Sequence, residues 1–243
     1  GAGDWKSFPA GSCGWSIWRW NDMEVQVMQD ILGKNDRIAA ENQALFAAKR
    51  VFVLNLLGSP GAGKTTLLEK TIAALKDELR LAVIEGDLFT TKDADRIAKY
   101  GVPVIQINTS GGCHLDAPMV QDVLSRLDLA ALDLVVIENV GNLVCPAEFN
   151  IGEDKKAVVL SITEGDDKRL KYPLIFKESA VAILNKVDIL PYTNFDLAAA
   201  KADIETIHPG AKVLAVSSTT EEGLAQWYDW LRQEVKAKQE GKR

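Results

Sequence analysis

A glycine-rich stretch that ends in a lysine and two threonines carries the clearest chemistry in the sequence. Residues 58–66 read Gly-Ser-Pro-Gly-Ala-Gly-Lys-Thr-Thr and match the G-x-x-x-x-G-K-[ST] pattern of a phosphate-binding loop. Glycine has no Cβ, so the backbone N–H groups of such a loop can surround a β-phosphate. The expected ligand contacts come from Gly58, Gly61, Ala62, Gly63, Lys64, Thr65 and Thr66. We expect Lys64 to act in catalysis at the β- and γ-phosphates, and Thr65 to give its hydroxyl to Mg²⁺. The alternative is a glycine turn that only joins a strand to a helix.

A second motif concerns the base of the nucleotide. Asn185-Lys-Val-Asp188 directly follows an apolar run, and a carboxylate there can accept two hydrogen bonds from the N1–H and N2–H₂ of guanine. Adenine does not offer this pair of donors, so Asp188 predicts GTP. Asn185 is expected to steady the loop, and the stem of Lys186 to lie along the base plane. The loop expected to close over the guanine oxygen contains Ser217, Ser218 and Thr219. The alternative is an ordinary exit from a strand into a turn.

Two acidic residues, Asp87 and Glu138, follow apolar runs that read as strands. Mg²⁺ is usually held by a few oxygen ligands and several waters. In phosphoryl transfer such carboxylates hold the metal or position the attacking water. We predict both residues to be catalytic and, together with Thr65, to hold Mg²⁺. Which of them is the ligand and which positions the water stays open, and helix capping is the alternative role.

Cys113, His114 and Cys145 form a third candidate site. Thiolate and imidazole are the ligands expected for Ni²⁺ or Zn²⁺. Three ligands are one short of a closed structural site, and a two-fold partner could supply a second set at a dimer interface. The alternative is that the cysteines are small core residues. Their position on loops beside the predicted nucleotide site favours metal binding.

The elements that position these residues alternate between short apolar runs and helical patterns after residue 50. Predicted strands cover residues 51–57, 81–84, 103–107, 133–137, 157–162, 180–184 and 212–216, and predicted helices cover 66–74, 93–100, 116–127 and 221–236. This alternation is typical of an α/β fold with a doubly wound, mainly parallel sheet. In such a fold, functional groups gather at the carboxyl ends of the strands.

The composition excludes several classes of protein. The chain has 243 residues, of which 47% are hydrophobic and 26% charged, as is ordinary for a soluble globular protein. A net charge of −6 argues against nucleic-acid binding, because there is no basic excess to neutralise phosphates. No apolar run approaches the ~20 residues of a membrane span, and no signal peptide is recognisable. The three cysteines cannot form a disulfide framework and suggest a reducing, cytoplasmic location.

The chain divides into three segments. Residues 1–22 hold four of the six tryptophans and one of the three cysteines, and are expected to be a non-native extension or a partner-binding peptide. Residues 23–49 are predicted to form an N-terminal helix, capped by Asn21 or Asp22 and weakened at Gly33. This helix either packs on the main domain or docks another protein. Residues 50–243 are predicted to form one P-loop GTPase domain.

Six motifs together resemble the HypB family of GTPases, which help to insert nickel into [NiFe]-hydrogenase. The family is of the SIMIBI class and is related to the urease GTPase UreG. The motifs are Gly58–Thr66, Glu85–Asp87, Gly112–Asp116, Glu138–Pro146, Lys171–Pro173 and Asn185–Asp188. The similarity covers about residues 22–236, and its most discriminating part is the Cys-His pair combined with Glu-Asn-Val-Gly-Asn-Leu-Val-Cys-Pro.

The resemblance implies a GTPase that passes between GTP and GDP and forms a homodimer favoured by GTP. It implies Ni²⁺ or Zn²⁺ at the Cys/His site, a HypA-type nickel chaperone docked near residues 23–49, and a hydrogenase large subunit that is served indirectly. A C-x-x-C-G-C cluster and a histidine-rich tract are absent from the sequence, so neither a separate tight nickel site nor nickel storage is expected. The alternatives are a regulatory P-loop GTPase without a functional metal site and the related urease GTPase. A small-molecule kinase is disfavoured by the guanine motif.

Overall fold

The computed structural model describes residues 20–87 and 92–241 of the chain. Within these residues seven strands form one sheet in the order β3-β2-β4-β1-β5-β6-β7, and every neighbouring pair is parallel. The strands are β1 Phe52–Gly58, β2 Leu81–Asp87, β3 Val104–Asn108, β4 Leu134–Glu138, β5 Lys155–Ser161, β6 Ser179–Asn185 and β7 Lys212–Val216. The prediction of a doubly wound parallel sheet is confirmed.

Helices connect the strands and cover both faces of the sheet. The described residues contain α1 Trp20–Lys49, α2 Lys64–Leu75, α3 Lys92–Ala98, α4 Ala117–Leu124, α5 Cys145–Glu148, α6 Lys168–Lys171, α7 Pro173–Glu178, α8 Leu197–Ile207 and α9 Leu224–Gln239. Short 3₁₀ turns cover Leu129–Ala131, Ile162–Glu164 and Val187–Tyr192. None of the described helices is both long and apolar enough to cross a membrane.

The central strand β1 is buried along its whole length. Leu54 and Leu56 point to a core shared with α2 and α9, whereas Val53 points to a second core shared with α1 and α4. A strand covered on both faces needs apolar residues at every position, which explains the continuous Val- and Leu-rich run. The carboxyl end of β1 therefore enters the glycine-rich loop from a rigid position.

The N-terminal helix α1 is continuous through Gly33 and begins at Trp20. The predicted caps Asn21 and Asp22 were therefore wrong, and the helix starts inside the segment predicted to be an extension. An isolated glycine costs only about 1 kcal/mol in a helix, so packing elsewhere can keep it intact. The predictions for residues 1–19 lie outside the described residues. From residue 32 onward, α1 buries the residues of one face, namely Asn35, Ile38, Ala39, Asn42 and Phe46.

Several elements differ from the sequence prediction. Strand β2 runs on to Asp87 instead of stopping at residue 84, because the backbone of residues 85–87 pairs with β3. Its acidic residues are thereby held by the sheet rather than by a loop. Helices α5 to α8 were not predicted, and Cys145, which was expected on a loop, is the first residue of α5. Asp196 marks the start of α8 by accepting a hydrogen bond from the N–H of Ala199.

Candidate functional site

The phosphate-binding loop follows β1 and leads directly into α2. Gly58 and Gly63 have φ angles of 149° and 96°. A Cβ on Gly58 would lie 2.4 Å from the carbonyl oxygen of Val159, and a Cβ on Gly63 would lie 2.4 Å from Asn185 Nδ2. Only glycine fits at these two positions, since both the backbone angle and the space forbid a side chain. The buried Lys64 folds over the loop and donates to the carbonyl oxygen of Gly58 at 3.2 Å.

Two buried glutamates lie beside the start of α2. Thr65 Oγ1 donates to Glu138 Oε1 at 2.9 Å, and Glu138 pairs in register with Glu85 of β2. Burial, followed by the nearby charge of Glu138, raises the pKa of Glu85 to about 10. Burial likewise raises the pKa of Glu138, against the opposing effect of Lys64. Among the described residues, Oε2 of Glu85 and Oε2 of Glu138 are both buried without a hydrogen-bond partner.

These groups line a cleft of about 480 Å³ together with Asp87. Carboxylate and hydroxyl oxygens are the ligands that Mg²⁺ prefers, and the two unpartnered glutamate oxygens could bind a cation. The donor set therefore fits the predicted Mg²⁺ ligands Thr65, Asp87 and Glu138. Glu85 was not predicted as a site residue, although an acid two positions before Asp87 on a buried strand was a usable signal.

Helix α3 adds two residues to the cleft that sequence reasoning missed. Arg96 and Asp93 line it together with the glutamates, and Arg96 donates to Asp93 at 3.0 Å. Arg96 also donates to the Glu69 carboxylate of α2 from Nε at 3.1 Å and from Nη2 at 2.5 Å, and Nη2 donates to Thr66 Oγ1 at 3.3 Å. An arginine on a short helix carries no motif, so only the fold reveals that this cation lies beside the phosphate loop.

The predicted base site lies where β6 and β7 end. Asn185 Nδ2 donates to the carbonyl oxygen of Ala62 at 3.0 Å, and Asn185 Oδ1 accepts from the N–H of Ser218 at 3.1 Å. Lys186 Nζ donates to the carbonyl oxygen of Gly61 at 2.7 Å. These bonds join the base loops to the phosphate loop. They frame a cavity of about 250 Å³, lined by Gly63, Thr66, Asn185, Lys186, Asp188, Ile189, Ser218 and Thr219.

Two details of this cavity bear on the predicted recognition of guanine. Within the described part of the chain, Asp188 Oδ1 is buried without a hydrogen-bond partner. Ser217 lies behind the cavity, where its hydroxyl accepts from the N–H groups of Thr219 and Thr220. Ser217 therefore shapes the loop, while Asp188 has an oxygen available to a ligand.

The three predicted metal ligands come together at one point of the surface. Cys113 Sγ lies 3.0 Å from Cys145 Sγ and 3.5 Å from His114 Nδ1, and one ligand atom from each residue falls within 4.8 Å of the others. The His114 ring packs against the Phe149 ring, with 3.9 Å between the ring centroids and the ring planes tilted by 36°. Burial lowers the pKa of His114, which favours the neutral ring that binds metals. The hydrogen bond with Cys113 raises the pKa of Cys145, so a metal must displace a proton there.

A short segment connects the metal ligands to the phosphate loop. The N–H of Asn142 donates to the carbonyl oxygen of Gly58 at 3.1 Å, which forms an isolated antiparallel bridge. The Asn142 side chain donates to the carbonyl oxygen of Cys113 at 3.2 Å and accepts from the N–H of Val144 at 2.9 Å. Asn142 therefore contacts the phosphate loop, the predicted metal ligand Cys113, and Val144, which precedes the predicted ligand Cys145.

Comparison with known proteins agrees with this arrangement. Residues 52–215 match the CobW/HypB/UreG nucleotide-binding domain family. The chain is 51% identical over 209 residues to the hydrogenase maturation factor HypB of Escherichia coli (strain K12), an alignment that covers 86% of this chain and 71% of that protein. The chain belongs to the HypB family.

Two further HypB proteins extend the comparison. The hydrogenase/urease maturation factor HypB of Helicobacter pylori (strain ATCC 700392 / 26695) is 42% identical over 212 residues, covering 86% of this chain and 87% of that protein. The crystal structure of HypB from Helicobacter pylori in complex with nickel superposes with a TM-score of 0.79 at 40% identity, covering 84% of this chain and 95% of that chain. The resemblance to HypB inferred from the motifs is confirmed.

Proposed function

We propose that this chain is a GTP-hydrolysing metallochaperone that binds nickel at Cys113, His114 and Cys145 and couples hydrolysis to nickel delivery in [NiFe]-hydrogenase maturation. The observation that carries the proposal is the segment 138–145. It begins at Glu138 in the candidate Mg²⁺ site, bridges to the phosphate loop at Gly58, and ends at a metal ligand. The names of the HypB relatives, and the nickel in one of their structures, support the choice of cargo.

We propose that residues 50–243 form the GTPase domain, and we assign roles in hydrolysis to several of its side chains. Lys64 binds the β- and γ-phosphates and stabilises the charge that develops on them. Thr65, Asp87 and Glu138 would hold Mg²⁺, which neutralises phosphate charge when bound. The buried Glu85, whose pKa is raised, would hold a proton beside Glu138 when no cation is bound.

For nickel the same residues act as a site for cargo. Two thiolates and one imidazole suit Ni²⁺ and Zn²⁺ alike, and three ligands leave a coordination position open to a receiving protein. Cys113 is exposed, so a ligand exchange can begin there. We propose that transfer involves a GTP-favoured homodimer and a HypA-like partner near residues 23–49.

The test is an equilibrium titration with Ni²⁺ in the presence of GDP or a non-hydrolysable GTP analogue. We expect the nickel Kd to differ about 5–150-fold between the two states. His114→Ala should weaken nickel binding, whereas His208→Ala, which removes the chain's other histidine far from the site, should not. Equal nickel affinity in both nucleotide states would refute the coupling, and unchanged affinity in His114→Ala would refute the site.

Nickel delivery to urease is a second candidate, because the Helicobacter pylori relative carries urease in its name. The two candidates predict different acceptors for the same cargo. Nickel-loaded protein should activate a nickel-free hydrogenase precursor in the presence of GTP and leave nickel-free urease inactive. The opposite pattern would favour the urease assignment.

A further inference from the structure

Two asparagines on the buried face of α1 bind the same two segments of the main chain. Asn35 accepts from the N–H of Ala117 at 2.9 Å and donates to the carbonyl oxygen of Asn150 at 2.8 Å. Two turns later, Asn42 donates from one Nδ2 to the carbonyl oxygens of Ala117 at 3.0 Å and Ile151 at 3.1 Å. Each side chain therefore bridges both segments, one at the start of α4 and one after α5.

These two segments are the ones that carry the proposed nickel ligands. Ala117 lies three residues after His114, and residues 150 and 151 lie five and six residues after Cys145. Phe149, which precedes the Asn35 partner Asn150, packs against the His114 ring. The spacing of the two ligand loops is thus set by an amide pair on a helix that contributes no metal ligand itself.

Asn42 is a buried amide whose two donated hydrogen bonds both go to main-chain carbonyl groups. The residue is 1% exposed, and its Oδ1 is buried without a hydrogen-bond partner among the described residues. An apolar side chain at this position would remove the donor to the carbonyl oxygens of Ala117 and Ile151 and would leave the two segments without this link. What asparagine provides is a fixed distance between two carbonyl groups that belong to different loops.

Gly152 closes the same contact from the opposite side. A Cβ at this position would lie 2.5 Å from Asn42 Cβ and 2.9 Å from the carbonyl oxygen of Ala39. The loop after α5 therefore lies directly against the backbone of α1. Any added atom at residue 152 must push the loop away from the helix.

We propose that Asn35 and Asn42 are positioning residues of the metal site, so that α1 acts as a clamp that holds the Cys113–His114 loop and the Cys145 loop at ligand-binding distance. This inference rests on the proposed nickel site. Partners that orient metal ligands typically change metal affinity 10–100-fold when they are removed. The clamp has the same effect through the main chain.

The first test is nickel titration of Asn42→Ala, followed through the thiolate-to-nickel absorption band, with thermal melting and GDP affinity measured on the same samples. We expect the nickel Kd to rise about 10-fold while the GDP Kd stays unchanged. Gln43→Ala, an exposed amide on the next position of α1, should bind nickel as the parent does. A folded Asn42→Ala protein with the parent's nickel Kd would overturn the clamp.

A second variant covers the case in which Asn42→Ala does not fold. In Gly152→Ala the added Cβ should push the loop after α5 away from α1. Gly165→Ala is the control: its φ angle of 94° matches the 95° of Gly152, but a Cβ on Gly165 meets nothing closer than 3.7 Å. We expect weaker nickel binding only in Gly152→Ala, and equal nickel affinities in the two variants would overturn the proposal. Cys145→Ala separates failure of the proposed nickel site from failure of the clamp. If Cys145→Ala binds nickel as tightly as the parent, the nickel site itself is refuted. If Cys145→Ala loses nickel affinity but Asn42→Ala and Gly152→Ala do not, only the clamp is refuted.

Discussion

Among single residues, Asp188 shows how an unpaired atom can indicate a ligand. Its Oδ1 is buried without a partner in the described part of the chain, which costs free energy in the protein alone. The cavity beside it is framed by Asn185 and Lys186, which are bound to the phosphate loop. A guanine that presents N1–H and N2–H₂ to this carboxylate would satisfy the oxygen and extend toward the phosphate site.

Asp188→Asn should therefore weaken GTP binding by about 1–3 kcal/mol, because an N–H donor would face the N–H groups of guanine. The same variant should gain affinity for xanthosine triphosphate, whose 2-carbonyl accepts a hydrogen bond where guanine donates one. Isothermal titration calorimetry with each nucleotide measures the loss of GTP affinity and the gain of xanthosine triphosphate affinity. Asp196→Asn is the control, since asparagine caps α8 as well as aspartate does. Unchanged GTP affinity in Asp188→Asn would place the base elsewhere.

Glu85→Gln should flatten the pH dependence of stability in protein free of nucleotide and Mg²⁺. The pKa of Glu85 rises from 4.5 to about 10 on folding, so the folded state keeps a proton that the unfolded chain releases. The free energy of unfolding then falls as pH rises between these two values, by up to about 1.4 kcal/mol per pH unit. Urea unfolding at about pH 6 and about pH 8 measures the slope. The exposed Glu178→Gln should follow the parent, and a parent-like slope in Glu85→Gln would contradict the buried proton.

At the level of helices and strands, local sequence patterns predicted the sheet but not the side-chain hydrogen bonds that link its loops and helices. Apolar runs such as residues 51–57 identified all seven strands, because a parallel strand covered on both faces is apolar throughout. The positions of the motifs after predicted strands also indicated that Cys113 and Cys145 lie at the same end of the sheet. The amide bridges of Asn42 and Asn142 were not predictable, since a single polar residue does not indicate a backbone partner tens of residues away.

Asn142→Ala should disconnect the proposed nucleotide site from the proposed nickel site. The variant keeps the backbone bridge to Gly58 but loses the side-chain bonds to Cys113 and Val144, so a shift of the phosphate loop no longer reaches the ligands. We expect nickel affinities in the GDP and GTP-analogue states to converge while both nucleotides still bind. Asn194→Ala, in the exposed loop before α8, should keep the parent's difference. A difference retained in Asn142→Ala would mean that coupling follows another route.

Across the whole molecule, Asp133 joins three distant parts of the chain at the end of the sheet away from the nucleotide. It precedes β4 and accepts from the backbone and guanidinium of Arg80, which precedes β2, and from Gln239 at the end of α9. The hydrogen bond from Arg80 is the main cause that lowers the pKa of Asp133. The ionised carboxylate thus helps to close the fold where the core strands begin.

Asp133→Asn should destabilise the protein at neutral pH by about 1–2 kcal/mol, because charge-assisted hydrogen bonds are lost. With a folded pKa below 3.8, the contribution of Asp133 is complete above that value and is lost as pH falls through the folded pKa. The unfolding free energies of parent and variant should therefore converge toward acid pH. Denaturant unfolding across this range measures the effect, with the exposed Asp122→Asn as control. If the difference in unfolding free energy between parent and variant stayed constant with pH, the ionised Asp133 carboxylate could not be its cause.

The proposed clamp of α1 would also impose an order in time on a chain that is made from its N-terminus. Asn35 is 115 residues ahead of its partner Asn150, so at about 5–20 residues per second the helix waits roughly 6–23 s on the ribosome for that contact. Cys113 likewise precedes Cys145 by 32 residues. A nascent chain therefore offers incoming nickel only part of the ligand set, without the helix that spaces it. With the proposed site and clamp, tight nickel capture would have to wait until synthesis has passed the loop that follows α5.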